Sequence, residues 1–586
     1  MLMREVKIIK SKCNQWFFLT VFIFTLNTSF GAVWHVDANN QTLFHDGTEI
    51  YPFANISDAI NIADNFDTIK VAQGIYNENL LIIYRKLILL GSFEGGSNSD
   101  YTAGSGGDFI NRDYQTYITE IHGLDTSAVI EFRYECNNSV VDGFVISGGH
   151  RGILLDNDYT WPPHENIIIS NNTIENNGWD TLDNEVGGGI CVNGSYITVE
   201  NNIIRNNRAG RGGALSANGQ NNLLRYNLID NNWANSDHGG GLYLYGKTII
   251  TDNVISNNRV GVLSGYGWGG AVIFFATMPD TSISSGNIYF NNHAPTYGGA
   301  VFVDDEATVY MNNDLVYNNY AEDHTHAGGG IAVDQGTTGT PSYLYVDNCT
   351  VAGNYNTQNV EGNGIYLDAN TSVTVKNSIF WNNGGDFKIH PTSTLAVTYS
   401  ISEDTINGNG VLHLNPLFAD IAHADYHLLS QTGRFTDSVW VSDTQHSPAI
   451  DTGDPASDYS KETAPNGNRV NLGCYGNTSE ASRSLGTFNP LYSTNELYFK
   501  CIPNPFCYDI KLYFMAKEIG IYSIDLINLL GTKVKTYDCY ISQPGEQEKN
   551  ITIDDLSDAF YTLVLRKNGV IIYCGKLVKD CIKQLK

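Results

Sequence analysis

Five consecutive residues, Glu322-Asp323-His324-Thr325-His326, bring two carboxylates and two imidazoles together. That donor set suits a divalent metal ion, and the competing expectation is a polar loop in which such neighbours arise by composition alone. A second run, Asp304-Asp305-Glu306, is acidic, and its context suits a solvated turn better than acid–base work. A third set is dispersed. Trp179, Trp233, Trp268, Tyr297 and Tyr320 lie in irregular stretches between repeated phrases, with Arg208 and Arg211 among them. Exposed rings there would offer apolar faces to the C–H faces of sugars, while polar neighbours bond hydroxyls. The competing expectation is that the rings fold over the scaffold and pack on it. The chain has no nucleophile elbow, phosphate loop, dinucleotide fingerprint or His-Glu-x-x-His zinc motif.

Composition narrows the scaffold that must hold these groups. Only 16% of the 586 residues are charged, while Gly numbers 58 and Asn is abundant, which favours turn-rich β architecture. The net charge of −28 argues against nucleic acid or an anionic membrane surface as partner. An acidic polysaccharide would, on that overall charge, be helped by a bridging cation such as Ca2+. No motif requires a cofactor. Residues 1–31 read as a signal peptide: Arg4, Lys7, Lys10 and Lys12 precede the apolar run Trp16 to Leu26, and Ser29-Phe30-Gly31 supplies small residues for cleavage. That run is too short to span a bilayer, and no other segment could serve as a transmembrane segment. Of the ten Cys, Cys13 leaves with the signal. Cys501, Cys507, Cys539, Cys574 and Cys581 cluster near the C-terminus, where export permits pairing of open connectivity. Cys136, Cys191 and Cys349 are expected to be packed thiols.

The middle of the chain repeats. Asn-x-apolar-x-Asn-Asn recurs at Asn172 to Asn177, Asn202 to Asn207, Asn227 to Asn232, Asn253 to Asn258 and Asn287 to Asn292, with looser copies ending near Asn318, Asn354 and Asn382. A Gly-Gly-Gly/Ala phrase alternates with it, its third position at Gly189, Ala214, Gly241, Ala271, Ala300, Gly330 and Gly364. Period-two alternation after each Gly phrase predicts a short strand. Ile190, Leu215, Leu242, Val272, Val301, Ile331 and Ile365 would point inward, and Tyr243, Phe302 and Tyr366 outward. One such strand cannot bury its apolar face alone, but stacked copies align each column into a continuous ladder. Buried Asn columns can donate and accept along the stack. Coils of this length suit three short strands per turn.

These phrases resemble the right-handed β-helix repeats of pectate-lyase-like proteins. Trp34-His35-Val36-Asp37, Tyr51-Pro52-Phe53 and Asp67-Thr68-Ile69-Lys70-Val71 resemble the module that opens such helices, and Phe53, Ile56, Ile60 and Ala63 have the spacing of an amphipathic capping helix. Asn415-Pro416-Leu417-Phe418 and Ser447-Pro448-Ala449-Ile450-Asp451 resemble the closing segment of secreted β-helix proteins. Tyr159-Thr160-Trp161-Pro162-Pro163-His164-Glu165 resembles the Tyr-x-x-Asp-Pro-His-Glu site of alginate epimerases and related lyases. That resemblance implies proton-handling roles for Tyr159 and His164, with Glu165 matching as well, but Pro162 stands where the catalytic Asp belongs. Pro503-Asn504-Pro505-Phe506, Leu530-Gly531-Thr532-Lys533-Val534 and Gly575-Lys576-Leu577-Val578 resemble the C-terminal sorting domain of type IX secretion, which implies dealings with that machinery.

The expected architecture is all-β: a right-handed parallel β-helix (solenoid) followed by a small C-terminal β-sandwich. The expected segments are signal 1–31, N-terminal cap and first coils 32–110, repeats 111–415, closing segment 416–487 and sorting domain 488–586. The expected function is extracellular polysaccharide binding by a secreted or cell-surface protein of a diderm bacterium, exported through the periplasm. The loop face holding Trp179, Arg208, Arg211, Trp233, Trp268, Tyr297 and Tyr320 would carry it. The alternatives are a polysaccharide lyase or uronate epimerase, and a protein-binding adhesin.

Overall fold

The fold is taken from a computed structural model. It describes residues 31–485 and 499–579, apart from 125–126, 157–162, 179–184, 262–266, 277–279, 323–327, 337–338, 359–360, 437, 503–507, 517, 529–531, 554–555, 558 and 568–569. The signal segment and the Pro-Asn-Pro-Phe phrase therefore lie outside the described residues.

Each coil begins with the strand after a Gly phrase. Among the described residues these strands form a 12-stranded parallel sheet, here sheet I, from Leu80–Ile83 to Phe387–Ile389. The chain then enters sheet II, 14-stranded, and sheet III, 11-stranded. The expected inward column is realised: Leu215 pairs with Ile190 and Leu242, and Val272 with Leu242 and Val301, all fully buried. Burying each such side chain contributes about 1.5–3 kcal/mol. The strands have no such worth singly, because the opposing face of the coil is completed only by the neighbouring turns.

Between sheets III and I the coil is not the three-stranded turn that its length suggested. In six successive repeats the turn at the second Asn feeds a two-residue strand, and among the described residues these form a further parallel sheet, sheet IV. They run from Arg208–Ala209 through Trp233–Ala234, Arg259–Val260, His293–Ala294 and Tyr320–Ala321 to Tyr355–Asn356.

The Asn turns explain how sharp corners are held without water. The first Asn of each pair takes the left-handed conformation, with φ of 56° at Asn206 and 52° at Asn231, which Asn tolerates better than other residues with a Cβ. The second is buried and joins a ladder. Asn177 donates from its backbone N and its Nδ2 to Asn207 Oδ1 at 3.1 and 3.0 Å, and Asn207 does the same to Asn232 at 3.0 and 3.1 Å. Every rung thus satisfies groups that burial would otherwise penalise.

The helix Ile56–Ile62 covers the N-terminal end, with Ile56, Ala59 and Ile60 buried, in line with its apolar spacing. At the far end Ile406 and Val411 pack on the main core. The expected closing segment does more than close. Residues 416–485 run back along the outer face of sheet III, where Tyr426 and Leu472 cluster with Leu315, Ala352 and Ile379. Cys474 N donates to Thr350 Oγ1 at 3.0 Å, and Asn313 Nδ2 donates to the Gly476 carbonyl at 2.7 Å. Cys136, Cys191 and Cys349 are buried free thiols, as expected, and so is Cys474. Cys539 is also unpaired. The C-terminal part is antiparallel throughout: a three-stranded sheet around Asp509–Ala516 and a four-stranded sheet around Gly520–Asn528 enclose their own core of Ile510, Leu512, Phe514, Ile524 and Leu563.

Candidate functional site

Sheet IV turns single residues into a column. In each two-residue strand the second side chain is buried: Ala209, Ala234, Val260, Ala294, Ala321, Asn356. The first faces away from the core, and in-register parallel pairing stacks these first positions as Arg208, Trp233, Arg259, His293, Tyr320 and Tyr355. At about 4.8 Å per step the six rungs cover about 24 Å. The stack is electronic as well as geometric. The Arg208 and Arg259 guanidinium carbons lie 4.9 and 3.9 Å from the Trp233 ring centre. His293 and Tyr320 stack at 4.4 Å and 18°, and Tyr320 and Tyr355 at 5.3 Å and 9°. The faces of Trp233 and Tyr320 are therefore occupied by neighbours on both sides, while Tyr355, the last rung, stacks on one side. The column presents edges and guanidinium N–H groups to solvent instead of the open ring faces expected from sequence.

A groove of about 500 Å³ runs beside the upper rungs. One wall is Arg208, Trp233 and Arg259; the other is the amide row Asn176, Asn206 and Asn231. Gly178 forms part of it because a side chain there would meet the Arg208 carbonyl 1.7 Å from its Cβ. Asn231 Nδ2 donates to Asn206 Oδ1 at 2.7 Å, which orients that row.

Arg211 belongs to a second column, at the end of the loops that lead into the Gly phrases. It clamps Asp237 with two hydrogen bonds of 2.7 and 3.0 Å, and His238 Nδ1 lies 2.6 Å from the same carboxylate. Burial pushes the Asp237 carboxyl up, but His238 and Arg211 outweigh it and hold the group well below the usual range. Trp268 and Tyr297 follow in this column and correct the expectation of exposed rings. Trp268 stacks on Phe302 at 6.1 Å and 19°, and Tyr297 meets Phe302 and Tyr366 edge-on. These rings roof the outer face of sheet I. Phe302 and Tyr366 point out of the coil as predicted, yet they are buried beneath that roof.

The remaining expectations separate. Tyr159, Trp179, Asp323, His324 and His326 lie outside the described residues. His164 is buried, with Nε2 2.8 Å from the Asp156 carbonyl oxygen, and burial pushes its pKa down. Glu165 beside it is exposed. Glu322 reaches His293 Nε2 at 3.0 Å. No group of three or more metal-ligating side chains occurs among the described residues.

Asp304 and Asp305 are buried, not solvated as their sequence context suggested. Asp304 follows Val303, which pairs with Val333, itself paired with Leu367, so Asp304, Asp334 and Asp368 fall on successive coils. Burial, with Asp305 and Asp334 adding to it, pushes the Asp304 carboxyl up to about 7. Asp334 is raised too, first by burial and then by Asp368, and accepts from the Tyr297 hydroxyl at 3.4 Å. Sequence reading missed this alignment although its signal was present: each Asp stands four residues after the third position of a Gly phrase.

Residues 106–344 match the family described as the right handed beta helix region, and residues 370–453 match one described as disaggregatase related. The chain is thus folded as a right-handed parallel β-helix over its repeats. No curated protein matches the chain. Among solved structures, the crystal structure of pectate lyase Pel9A is similar at 12% identity and a TM-score of 0.41, covering 77% of this chain and 96% of that one. The complex of XylC with xylose is similar at 10% identity and a TM-score of 0.34, covering 89% of this chain and all of that one.

Proposed function

We propose that this protein is exported to the outer cell surface of a diderm bacterium and there binds extracellular polysaccharide along sheet IV. The observation that carries the reading is the six-rung column from Arg208 to Tyr355 with the groove beside its upper half. An extended polymer matches a row of equivalent positions at strand spacing, since each coil offers the next polymer unit the same kind of contact. The groove walls are amides and guanidinium groups, which bond hydroxyls, beside an indole whose own N–H is buried. Export rests on the signal-like start and on the C-terminal β-sandwich with its sorting-domain phrases. Type IX machinery would be the partner in transit.

The reading is tested by Trp233→Ala in the full chain, assayed by affinity electrophoresis against neutral and charged soluble glycans. Trp233 spaces the two arginines, so binding should weaken by about tenfold or more while the melting temperature stays within a few degrees. Unchanged binding to every glycan that the parent binds would place the site elsewhere.

A further inference from the structure

The geometry points to an anionic unit, a carboxylate or a sulfate ester on the glycan, as what the groove beside Trp233 recognises; this rests on the reading that the face binds polysaccharide. Four observations converge. First, Arg259 is exposed and stacked on Trp233, and no carboxylate pairs with it among the described residues. In a chain with 62 acidic against 34 basic residues, a cation left to an indole stands out. Arg112, Arg205, Arg211 and Arg225, by contrast, each hold an acid.

Second, stacking engages only the guanidinium face. Its N–H donors lie in the plane and stay directed outward, in the fork that matches two oxygens of one anion. The indole also fixes the plane beforehand, so less freedom is lost on binding.

Third, two described acids on neighbouring turns are engaged elsewhere. Asp230 Oδ1 accepts from Ser256 and Asn257, both at 2.7 Å, and Glu322 is paired with His293. The charge of −28 is spread over the whole chain, and fields beyond about 8–10 Å are screened at physiological ionic strength. Among the described residues that line the groove, Arg208 and Arg259 are the only charged ones.

Fourth, Arg208 and Arg259 sit two coils apart, about 10 Å along the axis, with the indole between them and the Asn206 and Asn231 amides opposite. That arrangement fits one anionic unit held by a fork and a neighbouring unit bonded through hydroxyls. A bridging calcium ion, which the overall charge suggested, is unnecessary here.

The test uses the full chain and three short probes on one backbone: β-1,4-linked glucuronate oligomers, the neutral glucan made by reducing their carboxyls, and that glucan bearing sulfate esters. Calorimetry should show one charged probe bound at least about tenfold more tightly than the neutral one, weakened by added salt and unaffected by chelator. The tighter charged probe identifies the natural anion. Arg259→Gln should abolish the preference, bringing the charged probe down to about the affinity of the neutral one, while Arg259→Lys should keep part of it. Both are exposed changes, and equal melting temperatures would verify folding. A preference that survives Arg259→Gln, or binding that vanishes with chelator, would overturn the anion assignment. A charged probe bound no better than the neutral one would overturn it as well, yet spare the polysaccharide reading. Failure of all three probes would remove both.

Discussion

At the scale of single residues, the Asn ladders run in one direction, and that direction explains Asp314. In the first ladder Asn253 donates to Asn287 Oδ1 from its backbone N and its Nδ2, both at 2.9 Å. Asn287 then donates in the same way to Asp314 Oδ1, at 2.7 and 3.1 Å. At each Asn rung the Nδ2 also reaches a carbonyl on the preceding coil, as Asn253 does to Leu224 at 3.0 Å. Asp314 carries oxygen where that nitrogen would be, and its fully buried Oδ2 has no hydrogen-bond partner of good geometry. Burial pushes the carboxyl up to about 7, against the opposing pull of Ser284 and Asn287. The folded chain therefore holds a proton that the unfolded chain releases at ordinary acid pH. The stabilisation from that proton is complete below about pH 4 and is lost as pH rises through 7. Asp314→Asn supplies the missing donor without a proton. It should raise the unfolding free energy at pH 8, by on the order of 2–4 kcal/mol, and do little at pH 4. Chemical denaturation at the two pH values checks this, and a variant no more stable than the parent at pH 8 would mean that Oδ2 is not a site of cost.

At the scale of elements, the strand after the Gly phrase shows both what the sequence makes legible and what it hides. Alternation set the register correctly: Leu242 and Leu244 are fully buried inside the coil, and Tyr243 between them points out. Leu242→Asp should therefore cost about 4 kcal/mol or more, because it puts an unpaired charge in the ladder. Tyr243→Ala should cost only about 1–2 kcal/mol, since it loses a half-covered contact with Phe275 and the Arg211 stack. Phe302 separates register from exposure. It points out of the coil like Tyr243, but Trp268 and Tyr297 bury it, so Phe302→Ala should approach the cost of a core deletion, about 3–5 kcal/mol. Urea unfolding of the three variants ranks them, and a Phe302→Ala as mild as Tyr243→Ala would refute the aromatic roof. The period was readable because one buried face imposes it on every coil. The roof was not, because loops of unequal length choose their packing partners only after the coils have stacked. The same reason hid sheet IV, whose strands are too short to show a period, and with it the fact that Trp233 is sandwiched while Trp268 is packed. The Asp304–Asp334–Asp368 alignment had a readable offset, but burial of its first member comes from coverage that spacing does not report.

At the scale of the whole molecule, two cores divide the chain. The main core runs from Val36 to Val397, and the C-terminal core is made only of residues from Ile510 to Leu577. The two share no residue, and the flank segment that ends at Leu485 is closed on itself through Ser482 and Ser484, which bond Leu428 and Asp451. Neither core needs the other to bury its apolar surface, so each should fold independently. This independence suits a proposal in which the C-terminal sandwich is an address and the β-helix the cargo: an address must be read at the outer membrane without unmaking what it delivered. Deleting residues 490–586 should then have two effects that point in different directions. On that proposal, fractionated cells should hold the truncated protein in the periplasm. The purified fragment should melt within a few degrees of the main transition of the full chain and bind the same glycan, since sheet IV and its groove lie entirely within the retained part. Truncated protein on the cell surface at parental levels would refute the sorting role. A fragment that fails to fold would refute the independence of the cores, and with it the division of labour between address and cargo.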